Sequence, residues 1–220
     1  MERTDPAYAG QAAYTPRALK MYDTFVYRFN CPVLWRCPKS RFVEAYNANV
    51  SGRHLDIGVG TGLLLDECRF PVERPEITLM DLNPNSLRAA SERIARYSPR
   101  THQANVLEPW GLEPGAFDSV AMTNMLHCVP GAMPDKAVAF EYAKTALAPG
   151  GVLFGSTILG GGVKHNFLSR MVHRSSNRRG VLSNLEDTPE SLDAALAGAF
   201  PSHELEIEGV IGLFRARVPD

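Results

Sequence analysis

Apolar runs that end in a polar residue or a glycine recur through the middle of the chain. The first run ends at Asp56, and the later ones occupy 76–80, 101–105, 116–123 and 151–159. Between them, apolar residues at helical spacing predict helices over 84–97 and 134–147. Buried strands that alternate with helices are typical of a mainly parallel sheet with helices on both faces.

The last third of the chain departs from this alternation. Helices are predicted for 164–176 and 189–199, and two strands follow at 204–211 and 212–218. Only a tight turn around Gly212 separates these strands, and strands joined so closely pair antiparallel. We therefore expect the sheet to end in a hairpin.

Residues 1–50 are the least regular part of the chain and are rich in aromatic residues. A helix is predicted from Thr15, as its N-cap, to Phe29, because a proline follows the threonine. Pro32 is predicted to break this helix, and a second helix is predicted for 39–48. The aromatic side chains can pack onto the main domain or form a lid over a ligand, and one segment can do both.

The composition fits a single globular domain. The chain has 220 residues, of which 45% are hydrophobic and 21% charged, and its formal net charge of −1 gives no basic footprint for nucleic acid. No run of about 18 apolar residues predicts a membrane span. The four cysteines lack metal-site spacing and the first residues lack a signal-peptide pattern, so we expect a cytoplasmic protein with reduced cysteines and no metal.

The most distinctive stretch is 53–62, where an apolar run ends in Asp56 and three glycines follow at alternate positions. The three are Gly58, Gly60 and Gly62. Glycines adopt positive φ and let a ligand approach the backbone, and the helix behind them presents unpaired N–H groups. Asp81 ends the next strand, about twenty residues on, which suits the hydroxyls of a ribose. These features by themselves fit NAD as well as other nucleotide-like ligands.

Three features argue against a dinucleotide. The motif begins at residue 53, after a helical segment, whereas many dinucleotide-binding folds begin with it. The glycine spacing lacks the third glycine of the dinucleotide fingerprint. The sheet is also predicted to end in a hairpin.

Five motifs then occur in order along the chain. They are LDIGVGTG at 55–62, LMDLNPNSL at 79–87, ANVLEPW at 104–110, FDSVAMTNMLHCV at 117–129 and LAPGGVLFGSTIL at 147–159. In these motifs, over roughly residues 40–218, the chain resembles the class I S-adenosylmethionine (SAM) dependent methyltransferases. The resemblance implies an α/β, Rossmann-like fold with a seven-stranded, mainly parallel sheet in the order 3-2-1-4-5-7-6, with strand 7 antiparallel and helices on both faces.

The resemblance also implies how the single domain, residues 1–220, is divided. A helical lid segment would occupy 1–50, and the SAM-binding core 51–159. An insertion that covers the substrate would occupy 160–187, followed by a C-terminal helix and hairpin at 188–220.

The resemblance assigns cofactor roles at the methionine end of SAM. Gly58, Gly60 and Gly62 would form the loop beside the methionine moiety. Asp56 would support the ligand ammonium, directly or through water, and brace the loop. Asn124, at the end of the fourth strand, would lie near the methionine moiety and the reacting methyl group.

The resemblance assigns further roles at the adenosine end. Asp81 would accept hydrogen bonds from the ribose hydroxyls, and Leu82 would pack on the adenine. Asn105 stands where the family often has aspartate, and its amide oxygen can accept the bond from the adenine amino group without the charge. The backbone N–H of Val106 would meet a ring nitrogen of the adenine.

The acceptor side carries weaker signals. His127, three residues past the end of the fourth strand, is the best candidate for a general base, with packing as the alternative. His165 follows the glycines after the fifth strand, and Tyr14 and Tyr22 in the N-terminal segment are candidates to bind or deprotonate a substrate. A base is needed only if the nucleophile holds its proton tightly.

The resulting functional prediction is methyl transfer from SAM to the oxygen, nitrogen or carbon of a small organic metabolite of the natural-product type. Neither nucleic acid nor a membrane is an expected partner, and a homodimer is possible. Cations cluster in the cover segment, either as a solvated helix face or to attract an anionic substrate. Two alternatives are a SAM-binding protein that catalyses a reaction other than methylation, and a SAM-binding module without activity.

Overall fold

Seven strands form one sheet in the part of the chain that the structure describes, which is Thr15 and residues 23–220 of a computed structural model. They are β1 (Arg53–Ile57), β2 (Glu76–Asp81), β3 (Arg100–Gln103), β4 (Phe117–Thr123), β5 (Leu147–Ile158), β6 (Ser202–Glu208) and β7 (Ile211–Arg217). Their order is β3-β2-β1-β4-β5-β7-β6, with β7 antiparallel to both of its neighbours and the other pairs parallel. The predicted strand order and the final antiparallel strand are confirmed.

Helices cover both faces of this sheet. They are α1 (Val26–Trp35), α2 (Lys39–Asn49), α3 (Leu63–Glu67), α4 (Pro84–Arg93), α5 (Met133–Lys136), α6 (Val138–Ala146), α7 (Phe167–Arg178) and α8 (Pro189–Ala199). In the described residues, no helix combines the length and the apolar character that crossing a membrane requires.

The two faces of the sheet build two hydrophobic cores. On β4, Val120 and Met122 join the core under α5, α6 and α8, whereas Ala121 joins the core under α1 to α4. This alternation follows from the strand geometry, in which successive side chains point to opposite faces. All three residues are fully buried, which explains why β4 is an almost continuous apolar run in the sequence.

Several predicted boundaries are wrong. The predicted helix over 134–147 is two helices, α5 and α6, and β5 begins at Leu147 rather than at residue 151. The predicted strand at 101–105 is β3, which begins and ends earlier. Tyr14 and residues 16–22 of the predicted N-terminal helix, Tyr22 included, lie outside the described residues.

Helix α1 continues through Pro32, where the sequence predicts a break. A proline removes one backbone hydrogen bond from a helix. Here α1 is a π-helix, and its residues Cys31, Leu34 and Trp35 are buried against the main domain. The apolar contacts of these residues outweigh the lost bond, so tertiary packing overrides the local signal.

The hairpin turns at Gly209 and Val210, not at Gly212 as predicted. Gly209 has a φ of 63°, and Val210 donates its N–H to the carbonyl oxygen of Trp35 at 3.0 Å. A side chain at Gly209 would place its Cβ 2.1 Å from that same oxygen. The turn is therefore located by its contact with the end of α1, which no local sequence signal reports.

Replacing Gly209 with alanine should lower the free energy of unfolding by about 2–4 kcal/mol, because the new Cβ meets backbone atoms in a left-handed conformation. Gly198→Ala is the matched control. Gly198 lies within α8, and a Cβ added there would have no atom within 4 Å, so this substitution should raise stability by about 0.5–1 kcal/mol. Urea unfolding of both variants measures the difference, and equal effects would contradict the assigned turn.

Candidate active site

A cavity opens beyond the carboxyl ends of β1, β2 and β4 and encloses about 880 Å³ of atom-free space, its open mouth included. In open α/β sheets, ligands bind at this edge. Of the predicted cofactor residues, those that line the cavity are Gly58, Gly60, Asp81, Leu82, Asn105, Val106 and Asn124. The fold thus brings most of the predicted set together, and Asp56 and Gly62 lie outside the lining.

The loop between β1 and α3, residues 58–62, forms one wall of the cavity and is called the glycine loop below. Gly58 has a φ of 72°, donates its N–H to the Met80 oxygen at 2.9 Å, and leaves only 2.5 Å between an added Cβ and the Cβ of Met125. Gly62 has a φ of 73° at the start of α3, and its added Cβ would lie 3.0 Å from the Ala90 Cα in α4. Gly58 therefore shapes the cavity, whereas Gly62 lets two helices pack.

Asp56 lies behind the glycine loop. It is buried, its Oδ2 accepts a hydrogen bond from the Tyr46 hydroxyl at 2.7 Å, and the His54 Nε2 is 3.5 Å away. Burial, with the nearby Asp56 charge, raises the pKa of Tyr46 well above its ordinary value, so this hydroxyl remains a donor. These contacts tie the end of β1 to α2, and the predicted bond to a ligand ammonium stays a prediction.

Asp81 ends β2 at the cavity. Its Oδ1 accepts the N–H of Asn83 at 2.8 Å. Burial raises the pKa of the Asp81 carboxyl to about 6, although N–H donors from Asn83 and the glycine loop act to lower it. Leu82 follows in the lining. A carboxylate held in this way has acceptor capacity left for hydroxyl groups of a ligand.

Asn105 and Val106 form the part of the wall beyond β3. The Asn105 Oδ1 accepts the N–H of Leu107 at 3.1 Å, and its Nδ2 donates to the Glu108 carboxylate at 3.1 Å. The Val106 oxygen accepts the indole N–H of Trp110, also at 3.1 Å. Asn105 therefore stabilises the turn that places Val106 at the cavity. Its short, uncharged side chain makes the hydrogen bonds that this turn requires.

Asn124 follows β4 directly and has a φ of 55°, a conformation in which asparagine is favoured over most other residues. Its N–H donates to the Ser156 oxygen at 2.8 Å, and its Oδ1 accepts the Ser156 hydroxyl at 3.0 Å. Its Nδ2 is buried and has no hydrogen-bond partner among the described residues. A buried donor without a partner at a cavity wall points to an acceptor on a ligand.

His127 does not line the cavity, and its hydrogen bonds favour the packing alternative over the predicted role as a base. Its Nδ1 accepts the N–H of Ile158 at 3.2 Å, so its Nε2 carries the ring proton. Burial, with nearby Lys136 and His173, lowers the pKa of His127 to about 3. An imidazole in this tautomer is a donor at Nε2 and a weak base, and the packing alternative therefore describes His127 better.

His165 is likewise held in place by its neighbours and lies outside the cavity lining. Its Nε2 is 3.0 Å from the Leu159 oxygen, and its Nδ1 is 2.7 Å from the Ser169 hydroxyl. With the carbonyl accepting at Nε2, Nδ1 must accept from the serine. Both nitrogens are engaged, and burial lowers the pKa of His165, so this ring joins β5 to α7.

Sequence comparisons agree with this geometry. A family profile described as a methyltransferase domain matches residues 55–153. Demethylluteothin O-methyltransferase from Streptomyces thioluteus is 43% identical over 211 residues, which cover 96% of this chain and 92% of that protein. The chain belongs to the class I SAM-dependent methyltransferases. A physcion biosynthesis cluster O-methyltransferase from Aspergillus chevalieri is 37% identical over 221 residues, which cover 100% of this methyltransferase and 99% of that protein.

Solved structures share the fold of this methyltransferase. A Haemonchus contortus phosphoethanolamine N-methyltransferase 2, in complex with phosphomonomethylethanolamine and S-adenosylhomocysteine (SAH), superposes with a TM-score of 0.70 at 16% identity. An O-methyltransferase family protein from Burkholderia thailandensis superposes at 0.67 with 18% identity. The two superpositions cover 100% and 94% of this methyltransferase, respectively, and 61% of each of the other chains. At this identity the likeness shows the fold alone.

The structure adds site residues that the sequence did not single out. Tyr27 reaches the cavity from α1, and the segment after β4 supplies Met125, Cys128 and Val129 to the wall. Tyr27 was visible in the sequence only as one of many aromatic residues. Its position depends on how α1 packs, and no local pattern separates it from the others.

A buried ion pair holds residues 183–187 on the methyltransferase core. The Lys136 Nζ lies 2.6 Å from the Asp187 Oδ2 and also donates to the Ser183 oxygen at 2.6 Å, and both charged side chains are fully buried. The Ser183 N–H in turn donates to the His127 oxygen at 2.8 Å. These bonds join residues 183–187 to the segment that follows β4, and hence to one wall of the cavity.

The buried state of His127 predicts a pH dependence of stability. The unfolded chain takes up a proton at this histidine near pH 6.5, whereas the folded protein does so only near 3. The stability that the neutral ring contributes is therefore present above pH 6.5 and is lost as the pH falls. Between pH 7 and 5 the loss should be about 2 kcal/mol.

His127→Gln should remove about that much of the difference in unfolding free energy between pH 7 and 5, as measured by urea titration at each pH. His203→Gln is the control, because its imidazole is only partly buried and lies beside the exposed Asp193 carboxylate, 3.0 Å away. If both variants keep the full wild-type difference, His127 is not the buried neutral group described above.

Proposed function

We propose that this methyltransferase binds SAM along the carboxyl edge of the sheet and transfers its methyl group to a hydroxyl oxygen of a small organic metabolite. The observation that carries the proposal is a pair of groups on one cavity, the Asp81 carboxylate at the end of β2 and the Asn124 Nδ2, which has no partner among the described residues, just after β4. Because β1 lies between these strands, the two groups are about 10 Å apart across the sheet. An extended ligand with hydroxyls at one end and an acceptor at the other fits this spacing.

At the adenosine end, the residues present fit the cofactor. Asp81 would accept the ribose hydroxyls, which its remaining lone pairs allow. Leu82 would pack on the adenine. Asn105 and the backbone N–H of Val106 would bind the polar edge of the base. All four line one wall of the cavity, which supports their assignment as a group.

At the methionine end, the glycine loop and Asn124 would hold the amino acid part. Gly58 and Gly60 leave space for close approach of the ligand to the backbone. The Asn124 Nδ2 would donate to an oxygen of the ligand and so gain the partner that it lacks among the described residues. Asp56, buried behind the loop, would contribute its negative charge toward the ligand ammonium.

When bound, SAM supplies an electrophilic methyl group on a sulfonium. The work of the protein is to hold the acceptor in line with that methyl and to exclude water. We propose that residues 1–50 form a lid and that residues 160–187 form a cover. Together they would hold the acceptor in line with the methyl group and exclude water. Asp23 supports this, because its carboxylate accepts the Thr61 hydroxyl of the glycine loop at 2.6 Å and Arg93 in α4 at 2.6 Å.

An oxygen acceptor is favoured by the relatives. Two proteins that match this chain over more than nine tenths of their own length are named O-methyltransferases, one for demethylluteothin and one from a physcion biosynthesis cluster. The wall after β4 is largely apolar, with Met125, Val129 and Pro130 in the lining, which suits an organic ring more than a charged polymer.

Isothermal titration with SAH, followed by incubation with SAM and a panel of phenolic and enolic metabolites, tests this function. SAH should bind, and the product mass should rise by one methyl group. Absence of SAH binding would contradict the proposed site. SAH binding together with products that have no added methyl would favour a non-methylating reaction instead.

Asp81→Asn should weaken SAH binding about 10–100-fold at pH 7.5, because hydroxyl bonds to a charged acceptor are lost. Since the pKa of Asp81 is raised to about 6, wild-type affinity should fall as the pH drops through 6 and the carboxylate takes up a proton. The ratio of the variant's Kd to the wild-type Kd should therefore decrease from pH 7.5 to pH 5.5. Because both proteins bind the same ligand, titration of the ligand itself does not affect this ratio.

The matched control is Asp118→Asn. Asp118 is an exposed carboxylate near the start of β4, paired with Arg53 at the opposite edge of the sheet. This variant should bind SAH like the wild type at every pH. An equal loss of affinity in both variants would mean that Asp81 does not contact the ligand.

A further inference from the structure

The acceptor end of the cavity offers no histidine, lysine or carboxylate among the residues that the structure describes. Beyond Asn124 the lining consists of Met125, Cys128, Val129 and Pro130, with Tyr27 from α1. The carboxylate in the lining, Asp81, lies at the other end, two strands away. The described lining therefore supplies no histidine, lysine or carboxylate as a general base where the methyl group would be transferred.

The neighbouring imidazoles do not replace such a base. The Nδ1 of His127 accepts the N–H of Ile158. The two ring nitrogens of His165 bond to Leu159 and Ser169. His173, packed 4.9 Å from the His165 ring, is buried and bonds to the Asn184 amide at 2.9 Å. The His127 ring bonds to β5, the His165 ring to the residue that follows β5, and the His173 ring to Asn184, and none of the three lines the cavity.

Exposed cations are concentrated on α1, on α7 and on the segments that adjoin them. They are Arg28, Arg36, Lys164, Arg170, Arg174, Arg178 and Arg179, and none of them forms an ion pair with a carboxylate in the described part of the chain. Helix α1 also carries Tyr27 into the cavity, and Asn166 at the start of α7 donates to the Val33 oxygen of α1 at 3.1 Å. In a chain of net charge −1, this local positive field favours an anion on the lid side.

We propose that the acceptor enters as an oxyanion, and hence that the substrate class is an acidic enol or an electron-poor phenol rather than an alcohol or an ordinary phenol. This inference rests on the proposed function. An ordinary phenol, with a pKa of about 10 as in tyrosine, is almost fully protonated at neutral pH. A hydroxyl that is acidic enough to ionise in solution needs no base in the site.

The charges and atoms of the step balance without a proton transfer. A lone pair of the oxyanion forms the new O–CH₃ bond as the S–CH₃ bond breaks and its electron pair stays on sulfur. The negative charge of the acceptor and the positive charge of the sulfonium disappear together. The site therefore needs only to align the two centres beside an apolar wall, which Met125, Val129 and Pro130 provide.

The test is a pH profile of kcat/KM for a series of acceptors of decreasing acidity, namely a cyclic 1,3-diketone enol, 4-nitrophenol, phenol and benzyl alcohol. Each methylated acceptor should show an inflection at its own pKa, and benzyl alcohol should give no product. Inflection at one common pH for all acceptors would overturn the proposal, and so would methylation of benzyl alcohol or failure to methylate any ionised member.

SAH titration under the same conditions separates this inference from the proposed function. Binding of SAH without turnover of ionised acceptors counts against the oxyanion proposal alone. Loss of SAH binding counts against the SAM site itself.

Variants test the ionisable groups in the described part of the acceptor end, together with His165 nearby. Tyr27→Phe and Cys128→Ser should leave each inflection at the pKa of the acceptor, whatever their effect on rate. His165→Gln should keep kcat/KM within about threefold of the wild type. An inflection that disappears in any of these variants would identify that side chain as a base and overturn the proposal.

Charge-reversal substitutions test whether the exposed cations attract an ionised acceptor. Arg170→Glu combined with Arg174→Glu should lower kcat/KM for an ionised acceptor about 3–10-fold at low salt, with the difference vanishing at high salt, while SAH affinity stays unchanged. Lys144→Glu, on α6 at the other face of the sheet, is the control and should have no effect. Equal kcat/KM for the double variant and the control would overturn the role of the cations.

Discussion

The parallel pairing of β1 between β2 and β4 is the interaction on which the rest of the structure depends. Ile57 is level with Met80 on one side and Met122 on the other, so the three strands end in one row. Since the strands are parallel, their chains leave by the same edge, and residues far apart in sequence meet in one cavity. A slip of one residue in this register would turn Asp81 to the opposite face of the sheet.

Burial of polar groups is the second constraint, and it determines what the histidines do. Residues 160–187 are joined to the core by polar contacts, including the Lys136–Asp187 pair, and each imidazole near them has a partner. A buried polar group without a partner is costly, so these side chains are committed to structure. The acceptor wall is left apolar, and Asn124 carries a buried donor that no described residue satisfies.

The parts of the fold and site that could be predicted were those encoded in consecutive residues. The positions of Gly58 and Asp81 on the cavity follow from a strand end and the turn behind it, which a short motif specifies. Gly62 carries the same motif signal but serves helix packing, and His127 occupies a suggestive position but accepts a backbone N–H. A motif cannot separate these cases, because the distinguishing contacts come from Ala90 and Ile158, in other elements of the fold.

By itself, the sequence determined the alternation of strands and helices, the final hairpin, and most of the predicted residues that line the cavity at the carboxyl edge of the sheet. These follow from hydrophobic period, glycine spacing and chain order, which are local properties. Only the tertiary structure decided where the hairpin turns, that α1 passes through Pro32 and brings Tyr27 to the cavity, and which imidazole nitrogens are occupied. Those outcomes depend on packing and hydrogen bonds between distant segments, whose free energies exceed the local preferences that the sequence expresses.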